Sequence, residues 1–378
     1  MTDKKLVVVI FGGLSVEHEI SIITGLQIIE NLDQSKYNSM PVYWSKENKF
    51  LTCSNFTNSR EIIKNIISQK AEVIWDFNNK RILLKKGLIP STTIVPNVII
   101  PAMHGSFGED GSLQGLLDIF GVPYVGSNVG ASFLSMDKNI FKNVMKANGI
   151  NILPWQTATR DDSRDFKVEF EFPVICKPNS LGSSIGVAKC KTQKELRKAL
   201  DVIFELDEST IIEPFVEKMI EVNCAVLGNP KNQRVSVCER PLTKSEVLNY
   251  EEKYLKGSKA KGGMKTFGMA SFDRKIPADI PQNLSVSIQE VSKKIFRILG
   301  CSGVARIDYI VPEAKRDFYV NEINPIPGSY AYYLWEASGI SFTELLDEVI
   351  TIAQENFEER NRIKRSFESP VLEKFLED

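Results

Sequence analysis

The sequence predicts an α/β protein of two or three domains, and three observations carry that prediction. The chain has 378 residues, and domains typically hold about 150 residues each. Hydrophobic residues make up 43% and charged residues 25%, an ordinary balance for packed cores that excludes collagen, long disorder and coiled-coil rods. The chain opens with a continuous apolar run, Leu6 to Phe11, broken by Gly12-Gly13 and followed by a helical pattern from about Glu17 to Leu32. Strand, glycine turn and helix in that order begin a βαβ unit.

Further strand-like runs follow at Ser39 to Trp44, Val73 to Trp75 and Thr93 to Pro101, the last meeting a Gly-rich loop, His104 to Gly115. These elements define a first α/β domain over residues 1–128. A helix follows from Asp137 to Asn148, with Asp137 as its cap and Gly149 where a C′ glycine belongs. Strands at Phe172 to Lys177 and Val187 to Cys190 flank a Gly/Ser loop. Thr192 and Glu195 read as a capping box before a helix carrying Leu196, Ala199, Leu200 and Ile203 on one face. This is a second domain, residues 129–212. The third, 213–357, holds strands, a Lys- and Gly-rich segment from Lys253 to Ile276, and a helix from about Leu284 to Leu299 stopped by Gly300. It closes with two strands and a final helix from about Thr343. Residues 358–378 form a charged tail.

Charge and rare residues narrow the chemistry. Lys plus Arg number 47 and Asp plus Glu 48, for a net charge of −1. This provides no electrostatic footprint for nucleic acid and no polybasic attraction to a membrane, so small-molecule partners are expected. The apolar start is too short for a signal segment, and no window reaches the roughly 18 apolar residues of a membrane helix. Six scattered cysteines without a CxxC read as reduced thiols of a cytoplasmic protein. The two histidines, His18 and His104, leave little room for a His-based metal site or a Ser-His-Asp triad.

The sharpest signal lies in residues 303–324. GVARIDYIV and FYVNEIN read as two strands joined by a polar turn, Pro312 to Asp317. A hairpin symmetric about residue 315 sets Asp308 opposite Glu322 and Arg306 opposite Asn324, all four on one face. The other face carries Ala305, Ile307, Tyr309, Val311, Tyr319 and Ile323. The alternative is a solvated face with incidental ion pairs, but two opposed acids repel without a cation between them. Oxygen donors without His or Cys suit Mg²⁺, and Arg306 beside them suits a phosphate or a developing oxyanion. The loop Lys177 to Gly186 can turn N–H groups and hydroxyls toward phosphates, although taken alone it is a weak signal and a plain hairpin loop is the preferred reading. Lys138, just inside a helix N-terminus, opposes the helix dipole. Together these features suggest nucleoside triphosphate chemistry without a P-loop.

The ordered motifs FGGLSVEHEIS (11–21), HGSFGEDGSLQGLLDIFGVPYVGS (104–127), MDK (136–138), KPNSLGSSIGV (177–187), EVNCAVLGN (221–229), YEEKYL (250–255), ARID (305–308) and NEINPIPG (321–328) resemble those of D-alanine–D-alanine ligases of the ATP-grasp superfamily, over about residues 5–353. The resemblance implies a three-domain ATP-grasp fold with a Rossmann-like N-terminal domain. It also implies ATP-dependent joining of two D-alanines through an acyl phosphate, for peptidoglycan precursors. The implied cofactors are ATP and Mg²⁺, two ions with Mn²⁺ as an alternative, and the implied assembly is a homodimer. By motif position, Glu17 and His104 fall near the first D-alanine's ammonium, while Ser183 and Tyr254 link to Glu17. Lys138, Lys177, Lys253 and the Ser183-Ser184 pair contact nucleotide or phosphate. Glu213, Phe215 and Val216 receive adenine, and Glu221 the ribose. Asp308, Glu322 and Asn324 hold the metal, and Arg306 and Gly328 stabilise the tetrahedral oxyanion.

This chain departs from the family pattern after NEINPIPG, where only SYAYY precedes Leu334-Trp335-Glu336. The serine expected at the second substrate's carboxylate has no clear counterpart, and Ser329, Tyr332 and Tyr333 are the candidates to stand in for it. A ligase with another D-amino or D-hydroxy acid acceptor is therefore the alternative. A non-catalytic binding module is disfavoured by the complete Arg306, Asp308, Glu322 and Asn324 set.

Overall fold

The structure, a computed structural model, describes residues 4–53, 58–68, 70–87, 90–162, 166–242, 273–313, 317–364, 369 and 371–377. Lys253, Tyr254 and most of the Lys/Gly-rich segment lie outside the described residues. Three main sheets organise the chain.

The first sheet contains β1 (Lys5–Gly12), β2 (Tyr37–Trp44), β3 (Phe50–Thr52), β4 (Ala71–Asp76), β5 (Arg81–Lys85), β6 (Pro90–Ile94) and β7 (Val98–Pro101) in the order β6-β5-β4-β3-β2-β1-β7. Strand β1 runs parallel to both neighbours. Val7 to Phe11 are fully buried, as a strand covered on both faces requires. Helices α1 (His18–Asn31), α2 (Ser59–Ser68) and α3 (Ser112–Phe120) pack on this sheet, and Gly25 allows the close approach of α1: a Cβ there would sit 2.5 Å from Phe11 Cβ. The run expected as one strand from Thr93 to Pro101 is two strands. Pro96 lacks the N–H that a continuous ladder needs, and Asn97 turns its side chain to accept the Leu6 N–H at 2.7 Å.

The second sheet is smaller: β8 (Gln156–Thr159), β9 (Val174–Pro178), β10 (Ala188–Cys190) and β11 (Ser209–Pro214), ordered β10-β9-β11-β8. Helix α6 (Gln193–Ile203) buries Leu196, Leu200 and Ile203 against it. Only half of the expected capping box forms. Thr192 accepts the Glu195 N–H, but the Glu195 carboxylate reaches one residue further back, to the Lys191 N–H at 2.7 Å.

The third sheet is β12 (Met219–Asn229), β13 (Asn232–Val235), β16 (Gly303–Pro312) and β17 (Tyr319–Asn324), ordered β13-β12-β16-β17. A two-stranded pair, β14 (Arg240–Pro241) and β15 (Arg274–Lys275), stands beside it. Helix α7 (Gln282–Leu299) ends at Gly300 with φ +72°. Helices α4 (Val129–Met136) and α5 (Lys138–Ala147) bury Ala131, Phe141 and Met145 in the cluster formed by this third sheet and α7. Helices α8 (Tyr332–Glu336) and α9 (Phe342–Asn361) return to the first sheet. There Trp335, Leu345, Leu346 and Val349 share a core with Val7, Val9 and Phe11. A full capping box, Ser341 with Glu344, starts α9. The short α10 (Val371–Glu377) lies in the charged tail. No helix among the described residues is long and apolar enough to cross a membrane.

Candidate active site

Three segments converge where the sheets meet: the β16–β17 hairpin, the loop between β9 and β10, and the start of α1. The hairpin has the expected register at its functional end, with Arg306 opposite Asn324 and Asp308 opposite Glu322. Arg306 forks onto Asp308, Nε to Oδ1 and Nη2 to Oδ2, both at 2.7 Å, and Asn324 Nδ2 donates to Asp308 Oδ2 at 3.1 Å. Arg306 is buried, which acts against its charge, and the Asp308 carboxylate more than restores it.

Beyond Asp308 a β-bulge shifts the register, pairing Tyr309 with Val320. The expected assignment of Tyr319 to the apolar face is corrected here: the extra residue flips the alternation, so Val320 is buried and Tyr319 is not. The bulge also places both Asn321 and Glu322 on the wall of a cleft of about 880 Å³. Asn321 has no role in the motif reading, yet its Oδ1 accepts from Lys177 Nζ at 2.9 Å.

The same cleft is lined by Lys138, Lys177, Ser184, Glu213, Phe215, Val216, Glu221, Asp308 and Glu322. The Glu213 carboxylate is clamped between two lysines, Lys177 Nζ at 2.7 Å and Lys142 Nζ on the other side. Burial alone would raise Glu213, but Lys177 and Lys142 hold it down to about 2. Burial opposes the charge on Lys177, yet Glu213 keeps its pKa raised, whereas for Lys142 burial prevails and the pKa falls. Lys142, four residues beyond Lys138 on α5, is a functional neighbour that the motif reading passes over. Its i, i+4 spacing from Lys138 is the signal that could have found it. Lys138 itself reaches the Leu181 carbonyl at 2.6 Å and lies 4.0 Å from Glu322. A lysine that opposes the dipole of its own helix is therefore tied to the loop across the cleft.

Loop residues Ser183 and Ser184 both have positive φ, +55° and +59°, a region that costs roughly 1–2 kcal/mol for a residue with a side chain. In this conformation Ser183 Oγ donates to Glu17 Oε1. Glu17 stands at the N-cap of α1 without capping it; its carboxylate serves the loop instead. Gly105 lies against the same carboxylate with φ +74°, where a Cβ would come within 2.9 Å of Glu17 Oε2.

A second cleft, about 680 Å³, adjoins the first and is lined by Glu17, His104, Glu109, Lys138, Ser183, Arg306, Asn324 and Gly328. His104 is 4% exposed, and its Nε2 hydrogen-bonds Thr24 Oγ1 at 2.8 Å. Burial lowers its pKa to about 4; a hydrogen bond with the Ile326 backbone works the other way, and the Arg306 charge lowers it further. The ring is neutral at ordinary pH. Glu109 was not singled out from the sequence; it accepts the Gly105 N–H at 2.7 Å and the Ile326 N–H at 3.2 Å. Ser329, expected at the second substrate's carboxylate, is instead 1% exposed behind the cleft wall, its N–H on Thr24 Oγ1. Tyr332 and Tyr333, the other candidates, are buried as well: Tyr332 stacks on Phe342 with ring centroids 4.6 Å apart, and Tyr333 donates to Glu239 at 3.2 Å under the stacked Arg274 guanidinium. The short SYAYY segment thus folds inward and supports the site from behind.

Among the described residues no three His, Cys, Asp or Glu side chains gather as a metal site. The set Asp308, Glu322 and Asn324 nevertheless fits Mg²⁺, offering two carboxylates and an amide oxygen and no soft donor. Asn324 directs its N–H₂ to Asp308, and a half-turn of that amide presents the oxygen.

Residues 6–127 match the family described as D-ala D-ala ligase N-terminus, and residues 144–351 match D-ala D-ala ligase C-terminus. The D-alanine–D-alanine ligase of Thermosipho melanesiensis is 37% identical over 359 residues, covering 93% of this chain and 94% of the relative. Among solved structures, the VanG D-Ala:D-Ser ligase of Enterococcus faecalis superposes with a TM-score of 0.77 at 27% identity, covering 93% of this chain and all of that one. The Bacillus anthracis D-alanine–D-alanine ligase complexed with ATP superposes with a TM-score of 0.65 at 25% identity, covering 94% and 99%.

Proposed function

The chain belongs to the D-alanine–D-alanine ligase family, and from that premise we propose how its residues carry the reaction. It is an ATP-dependent ligase of the three-domain ATP-grasp fold that joins two D-alanines into D-Ala-D-Ala, a peptidoglycan precursor. The first D-alanine is phosphorylated on its carboxylate, and the amine of the second displaces phosphate from that acyl phosphate. In the first step a carboxylate O–P bond forms as the bond from the γ-phosphorus to ADP breaks; in the second a C–N bond forms as the C–O bond to phosphate breaks, and the nitrogen of the second D-alanine loses one proton to become the attacking amine and another to become the amide N–H.

The observation that carries the assignment is one hairpin face presenting Arg306, Asp308, Glu322 and Asn324 to two adjoining clefts. In this reading the larger cleft takes the nucleotide. Phe215 and Val216 flank the adenine, Glu221 meets the ribose, and Lys138 and Lys177 neutralise phosphate charge. Glu213 acts by fixing Lys177. Asp308, Glu322 and Asn324 hold Mg²⁺, which supplies charge neutralisation to the transferring phosphoryl group. The smaller cleft takes the first D-alanine, its ammonium on Glu17. Ser183 ties the β9–β10 loop over Glu17 and excludes water, which would otherwise hydrolyse the acyl phosphate. Arg306 and the Gly328 N–H receive the developing oxyanion. Tyr254 and Lys253 take their roles, loop closure and phosphate contact, from the family pattern alone. The same pattern supports a cytoplasmic homodimer.

Replacing Glu322 by Gln removes one metal-holding charge and preserves shape. Glu322→Gln is expected to abolish ATP-dependent phosphate release while leaving the circular dichroism spectrum unchanged; near-normal turnover would refute the metal assignment. A second reading, an acceptor other than D-alanine, is favoured by two observations. Ser329 is buried and lines neither cleft, and a D-Ala:D-Ser ligase is among the structural relatives.

A further inference from the structure

We propose that Thr24 and Glu109 are positioning residues that hold the Gly328 peptide in place, so that the domain receiving the first D-alanine also aims the oxyanion donor. This rests on the assignment of Arg306 and Gly328 to the oxyanion.

The segment Pro325-Ile326-Pro327-Gly328-Ser329 has three backbone N–H groups, because proline has none. The Ile326 N–H is taken by Glu109 Oε1 at 3.2 Å, and the Ser329 N–H by Thr24 Oγ1 at 3.2 Å. The Gly328 N–H between them is the one donor of the stretch not taken up by a described residue. Gly328 lines the cleft that also holds Glu17 and Arg306. Both flanking ties come from the N-terminal domain, across sequence separations of 217 and 305 residues.

These ties lead directly to the donor pocket. Glu109 Oε2 accepts from Gly105, the residue after His104, at 2.7 Å. Thr24 Oγ1 accepts from the Ser329 N–H and also hydrogen-bonds His104 Nε2, 2.8 Å away. A neutral imidazole can accept that bond.

The segment needs such support. Ser329, Tyr330 and Ala331 all have positive φ, +54°, +54° and +48°, and three consecutive left-handed residues with side chains persist only when their surroundings over-determine them. Tyr330 OH adds a third tie, to the Pro101 carbonyl at 2.7 Å. An oxyanion donor works by being preorganised, and an error of about 1 Å costs on the order of 100-fold in rate.

The test uses the full-length enzyme and steady-state phosphate release with D-alanine and ATP. Thr24→Val removes the acceptor at nearly constant shape, Thr24→Ser keeps it, and Glu109→Gln places an N–H₂ against one of the two backbone donors. The proposal expects kcat to fall at least tenfold in Thr24→Val and Glu109→Gln with KM for ATP within twofold, and Thr24→Ser to stay within threefold of the parent. A kcat loss without a nucleotide-binding loss marks an interaction made in the transition state. Parent-like kcat in both Thr24→Val and Glu109→Gln overturns the proposal, as does a Thr24→Ser loss equal to that of Thr24→Val. Arg306→Ala separates the two levels. If it abolishes turnover while the Thr24 and Glu109 variants stay active, only the positioning role fails; if it stays active, the oxyanion assignment fails.

Discussion

Glu17 and Glu109 line the same cleft within reach of each other's charge, and the fold treats them differently. Glu17 is turned to the loop serine. Glu109 is buried, and burial together with the Glu17 charge raises its pKa to about 8 from the usual 4.5, against the two backbone N–H groups that lower it. Between those values the folded protein keeps a proton that the unfolded chain releases. Glu109 therefore adds stability that is complete below about pH 4.5 and is lost as the pH rises through about 8. Thermal unfolding at pH 5 and pH 9, without substrates, is expected to show a smaller loss of Tm in Glu109→Gln than in the parent; equal losses would refute the raised pKa. Sequence reasoning reaches Arg306, Asp308, Glu322 and Asn324 because they lie in one hairpin, where period-two alternation predicts which side chains share a face. It does not reach Thr24 or Glu109, because the segment they hold, Ile326 to Ser329, lies 305 and 217 residues away from them and no local period encodes that.

The elements that shape the site each depart from the simplest local rule. Strand β17 carries the bulge that brings Asn321 beside Glu322, α1 turns its N-cap carboxylate to the loop, and α5 buries Lys142 against Glu213. The Lys142–Glu213–Lys177 cluster joins α5, β11 and β9 in a setting where Glu213 is fully buried. Removing one member of a buried ion cluster typically costs about 3–5 kcal/mol. Lys142→Met is expected to lower stability by about 3 kcal/mol in urea unfolding, with KM for ATP raised because Lys177 loses its fixed partner; unchanged stability and KM would show that Lys177 is held otherwise. Element existence was legible where apolar period and caps agree, as in β1, α5 and α7. Boundaries were less so. Pro96 splits a run that hydrophobicity alone reads as one strand, and Glu195 returns to Lys191 instead of completing its box. Both outcomes depend on where backbone donors point, which composition does not specify.

At the scale of the whole molecule, the chain crosses its own sheets. Helices α4 and α5 pack into the core of the third sheet, and α8 and α9 from the far end pack into the core of the first. The Gly328 segment sits at that second crossing, which places the donor pocket, the nucleotide cleft and the oxyanion donor against one another. The near-zero net charge conceals this arrangement: lysines and Arg306 gather on the same clefts as Asp308 and Glu322 and cancel in the sum. The inward-folded SYAYY segment leaves acceptor choice as the property on which the functional account turns. The measurement that tests it most directly is product mass and ADP formed when the enzyme is given ATP, Mg²⁺ and D-alanine, alone and in equal mixture with D-serine or D-lactate. The account predicts D-Ala-D-Ala as the main product in every mixture, one per ADP. A mixed product predominating over D-Ala-D-Ala, or ADP formed without dipeptide, would contradict it.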